Sequence, residues 1–150
     1  MAGTKIAMAC DHAGLPLKRL LMEDLEGRGF TVLDLGTHDE QSVDYPDFAD
    51  AMARALADGS VDRGVLVCGS GVGIAMAANR HAHVRAAVAW DVSSARLARA
   101  HNDANVLALG ARLVGPVTAK DCLGAFLDTR FEGGRHVARV AKLSRQRQTA

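Results

Sequence analysis

The segment GVLVCGSGVGIAMAANR, Gly64 to Arg80, passes from a short apolar run into a glycine loop and then into an alanine-rich stretch. Strand, tight turn and helix in that order form the repeating unit of a parallel α/β sheet. The same strand-like runs recur as KIAMAC (5–10), TVLDLG (31–36), VRAAVAW (84–90) and NVLALG (105–110). Between them lie helical spacings, such as Leu17, Leu20, Leu21 and Leu25, or Phe48, Met52, Ala55 and Leu56. Strands that are apolar on both faces need helices above and below. The expectation is a three-layer α/β/α, Rossmann-like domain with a five-stranded parallel sheet.

Beyond the fifth strand Pro116 opens a further helix, PVTAKDCLGAFLD, as proline in a first turn does. A linker, TRFEGG, leads to a last basic helix from about Arg135, with Val137, Val140 and Ala141 on one face. That helix has no following strand to cover, so its apolar stripe is expected to dock on a partner subunit. With 150 residues and no repeat or change of composition, the chain reads as one domain, 1–150.

Formal net charge is +1, too balanced to make nucleic acid or a membrane surface the main partner, although positive charge gathers from Arg130 to Arg147. No apolar run is long enough to span a bilayer, and the N-terminus lacks a charged leader before a long apolar stretch, so a cytoplasmic location is expected. The three cysteines, Cys10, Cys68 and Cys122, have no CxxC spacing and predict neither a disulfide framework nor a zinc knuckle. His38, His81 and His83 read as surface residues, and Cys10 and Cys122 as core.

Open parallel sheets bind ligands beyond the carboxyl ends of their strands. CDHAG follows the first run, CGSGVG the third and GARLVG the fifth, while AHNDAN closes the helix before the fifth. Asp11 and His12 suit an acid–base pair, or equally a capped turn. In the third loop, backbone N–H groups of Gly69, Gly71, Val72 and Gly73 face a helix start. They favour a phosphate, a developing oxyanion or the Cys68 thiolate, against a plain tight turn with Cys68 as core. Asp91 lies 20 residues after Gly71, where a dinucleotide site carries its ribose-binding acid. The glycine fingerprint fails at Ile74, however, which disfavours a nucleotide.

His101, Asn102, Asp103 and Asn105 gather polar groups ahead of the fifth strand. A metal site from Asp11, His12, His101 and Asp103 is not expected, since no ligand pair has i, i+4 spacing. Arg135 and Arg139 do share a helix face, where two guanidiniums grip a phosphate or simply face solvent.

CDHAG, DYPDFA, VCGSGVGIAMAAN, HNDANVLALGAR and FEGGRHVARV together resemble the motif set of the type B ribose-5-phosphate isomerase family, which also holds galactose-6-phosphate isomerase subunits. The resemblance spans nearly the whole chain. It implies an aldose–ketose isomerase without metal or other cofactor, working as a homodimer or tetramer with shared sites on a phosphorylated sugar. It implies phosphate binding by His12, Arg112, Arg135 and Arg139, some of them from the partner. Ring opening falls to His101 assisted by Asp11, and sugar contacts to Asn102 and Tyr45. Cys68, with Ile74 and Ala75 beyond it, resembles the branch that uses cysteine as base, and Ser70 keeps a hydroxyl found as threonine in relatives. The chemistry agrees: moving a proton between adjacent carbons through an enediolate needs a base and stabilisation of the oxyanion, here by Ser70 and the Gly69–Gly73 amides. A non-catalytic nucleotide- or phosphate-binding module is the reading from another class.

Overall fold

A computed structural model describes residues 3–145; Arg147, at the end of the basic tail, lies outside them. Five strands, β1 (Lys5–Cys10), β2 (Thr31–Asp34), β3 (Arg63–Cys68), β4 (Ala86–Val88) and β5 (Val106–Gly110), alternate with helices. The helices are α1 (Leu15–Gly27), α2 (Tyr45–Ala57), α3 (Val72–Ala78), α4 (Val92–Asn102), α5 (Pro116–Asp128) and α6 (His136–Leu143). All pairings are parallel, in the order β2-β1-β3-β5-β4. The expected five-stranded α/β/α fold is therefore observed. The strand order reverses between β1 and β3, and that is where a crevice opens at the carboxyl edge.

Two apolar cores sandwich the sheet. Alternate residues Ile6, Met8, Val65, Val67, Leu107 and Leu109 pack under α1, α4 and α5 with Leu21, Ala98, Leu123 and Phe126. On the other face Ala7, Ala9, Leu66, Cys68, Val106 and Ala108 meet Met52, Ile74 and Ala78 of α2 and α3. The period-two alternation of the strands thus assigns each side chain to one core. Met52 lies over position 64, where an added Cβ would overlap the thioether sulfur unless that side chain moved.

Lys18 of α1 is fully buried, and its Nζ donates to Asp34 Oδ1 and to the Thr37 carbonyl, both at 2.6 Å. Burial raises the Asp34 carboxyl, but the Lys18 hydrogen bond, the Gly36 amide and the charges of Lys18 and His38 outweigh it, holding the group below its ordinary value. Burial likewise pushes the Cys10 and Cys122 thiols up, in keeping with their expected place in the core.

Two expectations need correction. Among the histidines read as surface, His81 is half-buried with Nε2 at 2.8 Å from Asp50 Oδ1; His83 is exposed as expected, its Nε2 2.7 Å from the Ala53 carbonyl, and both tie the segment after α3 to α2. Asp91, which the sequence offered only for a disfavoured nucleotide site, caps α4: its Oδ1 accepts from the Ser94 amide at 2.7 Å within a capping box. The stripe on α6 is divided. Val140 and His136 are buried and the helix lies against α4, while Val137 and Ala141 face outward.

Candidate active site

The β1, β3 and β5 strands end side by side, and the loops that leave them, together with the start of α2, line a cavity of about 420 Å³. Its walls are Asp11, Tyr45, Cys68, Gly69, Ser70, Gly73, Arg112 and Leu113. Cys68 closes β3, 4% exposed, and its Sγ accepts the Gly71 N–H at 3.1 Å. Gly71 makes this possible. Its φ of +79° lies in the left-handed region, and an added Cβ would meet the Leu109 carbonyl carbon at 2.9 Å. Two further glycines admit side chains over the loop. A Cβ on Gly73 would come within 2.7 Å of the Tyr45 ring, and one on Gly69 within 3.2 Å of the Arg112 guanidinium.

Asp11 is buried and caps the turn after β1, its Oδ1 taking the Gly14 amide at 3.1 Å. Gly14 in turn sits close enough to β3 that an added Cβ would lie 2.5 Å from the Val67 carbonyl oxygen, which draws the first loop against the third. His12 Nδ1 accepts from the Val43 amide at 3.2 Å. A neutral His12 therefore carries its proton on Nε2. Ser70 Oγ accepts the Val72 amide at 3.1 Å, leaving its own O–H free to donate. Of the four amides expected to hold an oxyanion, those of Gly71 and Val72 thus already have partners in the loop. Gly73 lies in the first turn of α3, where N–H groups have no partner within the helix.

The other expected residues gather elsewhere. Cys68 pairs with Gly110 and Gly64 with Val106, so the carboxyl edge stands four residue steps, roughly 13 Å, from the start of β5. Helix α4 runs back from the carboxyl edge and delivers His101 and Asn102 to the amino edge. There Arg85 Nε donates to the Asp103 carbonyl at 2.8 Å and the Glu132 amide to the Ala100 carbonyl at 3.0 Å. Helix α5 also descends, so the exposed Arg135 and Arg139 of the following segment stand at that same edge. Within one protomer, His101, Asn102, Arg135 and Arg139 do not join Cys68, Asp11, His12, Tyr45, Ser70 and Arg112.

Asp103 and Asn105 prove to be structural. Asp103 ends α4 with φ of 47° and pairs with Arg99 at 2.9 Å, while the Asn105 side chain accepts from the Arg85 amide and donates to the His83 carbonyl. The sequence reading missed Leu113 as a wall of the cavity, although it directly follows Arg112. It also missed the surroundings of His101, whose ring stacks on His136 with centroids 4.4 Å apart. Burial, then the neighbouring His101 and Arg135, push the His136 imidazole below the ordinary value of 6.5. Among the described residues no helix is long and apolar enough to cross a membrane.

Comparison with known proteins places the chain in a family. The ribose/galactose isomerase family profile matches residues 6–143. The chain is 48% identical over 140 residues to ribose-5-phosphate isomerase B of Escherichia coli K12, covering 93% of this chain and 94% of that one. It is 42% identical over 140 residues to D-erythrulose-4-phosphate isomerase of Pectobacterium atrosepticum, covering 92% and 91%. The structure of Clostridium thermocellum ribose-5-phosphate isomerase B is similar to it with a TM-score of 0.92 at 48% identity, over 94% of this chain and 95% of that one. The chain therefore belongs to the ribose/galactose isomerase family, and is an aldose–ketose isomerase.

Proposed function

We propose that the protein interconverts ribose 5-phosphate and ribulose 5-phosphate through a cis-enediolate, with Cys68 as the base. The observation that carries this reading is a buried sulfur at the wall of the cavity, held by a backbone N–H and flanked by a hydroxyl and a carboxylate. The Cys68 thiolate takes the proton from C2 of the open-chain aldose and returns it to C1, while the O2 hydroxyl proton passes to O1, so the carbonyl moves from C1 to C2 and the thiolate is regenerated. Negative charge that forms on the substrate oxygen faces the Ser70 O–H and the amides of Gly69 and Gly73. One such donor is worth about 2.7–4 kcal/mol of barrier. The Gly71 amide donates to the sulfur instead.

Ring opening is assigned to His101, with Asp11 beside the sugar, Tyr45 and Asn102 as sugar contacts, and His12, Arg112, Arg135 and Arg139 for the phosphate. These groups lie at two edges of one protomer, and a second copy running antiparallel beside it unites them. A two-fold axis across the strands sets the amino edge of each copy against the carboxyl edge of its partner and makes two identical sites. Exposed Val72 and Met76 of α3, and Val137 and Leu143 of α6, supply apolar surface for that contact. The assembly is accordingly a homodimer, or a tetramer built from it, of single-domain chains.

The relative named for D-erythrulose 4-phosphate favours one competing reading, the same chemistry on a shorter or longer phosphosugar. A kinetic panel of four-, five- and six-carbon aldose and ketose phosphates decides it. The highest kcat/KM on ribose 5-phosphate is the expected result, and a clear preference for another length replaces the substrate while leaving the mechanism.

A further inference from the structure

We infer that His101, Glu132 and His136 form a binding site for a zinc-class divalent cation at the amino edge of the sheet. The Nε2 atoms of His101 and His136 lie 3.8 and 3.6 Å from the same carboxylate oxygen, Glu132 Oε2. The three ligand atoms fall within 4.8 Å of one another. Neither nitrogen-to-oxygen distance is a hydrogen bond, so the carboxylate satisfies neither imidazole. Four-coordinate zinc with bonds near 2.0–2.1 Å holds its ligands about 3.3 Å apart. The two nitrogen-to-oxygen separations are within roughly half an ångström of that spacing.

A second observation points into the same cluster. His136 Nε2 is buried and has no hydrogen-bond partner among the described residues. Buried polar atoms in folded proteins are nearly always paired, and an exception calls for an occupant. A water could serve, but two imidazoles and a carboxylate around one point are the donor set of zinc and its neighbours in the first transition row, with magnesium and calcium preferring oxygen alone.

The three residues differ in freedom in a way that suits capture. His136 is fixed, because it opens α6 and is buried where that helix meets α4. The His101 side chain is 35% exposed and that of Glu132 57% exposed. The two rings are stacked at an interplanar angle of 16°, so their nitrogen lone pairs lie in two nearly parallel planes and do not converge on one point. Coordination therefore needs the His101 ring to turn out of the stack while Glu132 swings inward. Three protein ligands leave a fourth position for water.

The consequence for activity rests on the assignment of His101 to ring opening. A cation on His101 Nε2 occupies the lone pair that carries the proton, so the metal acts as an inhibitor and not as a cofactor. Cation binding itself does not depend on that assignment, and the test separates the two.

Metal-stripped full-length protein is titrated with zinc chloride by calorimetry, in the wild type and in a Cys68→Ser background that removes the competing cavity thiol. The expected result is one zinc ion per chain, retained in Cys68→Ser and weakened at least about tenfold by Glu132→Gln. Magnesium and calcium chloride should give no comparable heat. Absence of zinc binding, binding unchanged in both Glu132→Gln and His136→Gln, or binding lost with Cys68→Ser overturns the site. In turnover assays zinc should inhibit the wild type reversibly by chelator, with Glu132→Gln requiring at least about tenfold more zinc. If zinc binds at the cluster and turnover is unaffected, the site stands and the role of His101 in ring opening falls.

Discussion

Position at a cavity wall distinguishes Cys68 from the other two cysteines. Its sulfur takes the Gly71 amide at the wall of a cavity, whereas Cys10 and Cys122 are sealed in the core with thiols raised by burial. Iodoacetamide should therefore label Cys68 first, with loss of turnover, and substrate should protect it; mass mapping of the alkylated peptide checks this. Cys68→Ala should reduce kcat by several orders of magnitude with the fold intact by circular dichroism, and full turnover in that variant rules out the base. Gly71→Ala is expected to cost at least about 1–2 kcal/mol from its left-handed backbone alone, before the overlap with the Leu109 carbonyl is counted. Gly73→Ala displaces the Tyr45 ring and should raise KM more than it lowers the melting temperature.

Among the elements, α4 and the loop after β2 carry the measurable electrostatics. Asp91→Ala removes one half of the α4 capping box and should destabilise the protein by about 0.5–2 kcal/mol, read as a lower melting temperature with kcat unchanged. The Lys18–Asp34 pair joins α1 to β2, and Asp34→Ala strands a buried ammonium with only the Thr37 carbonyl. Breaking such a buried pair typically costs about 3–5 kcal/mol. The partial exposure of Asp34 places its contribution toward the lower end. Because the folded Asp34 carboxyl lies below its ordinary value, its contribution is present above the unfolded value of about 3.9 and is lost as pH falls through the lower, folded one. Urea midpoints of wild type and Asp34→Asn should therefore converge below about pH 4.

For the whole molecule, the separation of the two half-sites makes a prediction about mixing. Cys68→Ala and His101→Ala homodimers should both be inactive. In a randomly mixed dimer population, half the molecules are mixed, and each of those regains one of its two sites. About a quarter of wild-type activity should return if each site takes Cys68 from one copy and His101 from the other. No recovery on co-refolding would mean that the sites are not shared in this way. The test needs only dissociation and reassociation, followed by the standard turnover assay.

Much of this was legible in the sequence because it depends on local order. Period-two apolar runs, intervening helical spacing and Pro116 at a helix start give the order of the five strands and alternating helices, with strand ends within two residues of those observed, since burial on both faces leaves a parallel strand little choice. The Cys68 loop was equally readable, because a glycine's permissiveness is written in the residue itself. Facts about distance through space were not. That Asp91 caps a helix, that Asp103 and Asn105 hold the β4–β5 corner, and that Glu132 meets His101 all depend on contacts between side chains that no motif records. The order of residues thus specifies the layers of the fold and the chemical groups on hand. Their standing at opposite edges of one sheet emerges with folding, because the direction in which each helix returns across the sheet is set by packing against both faces and not by any residue in the motifs.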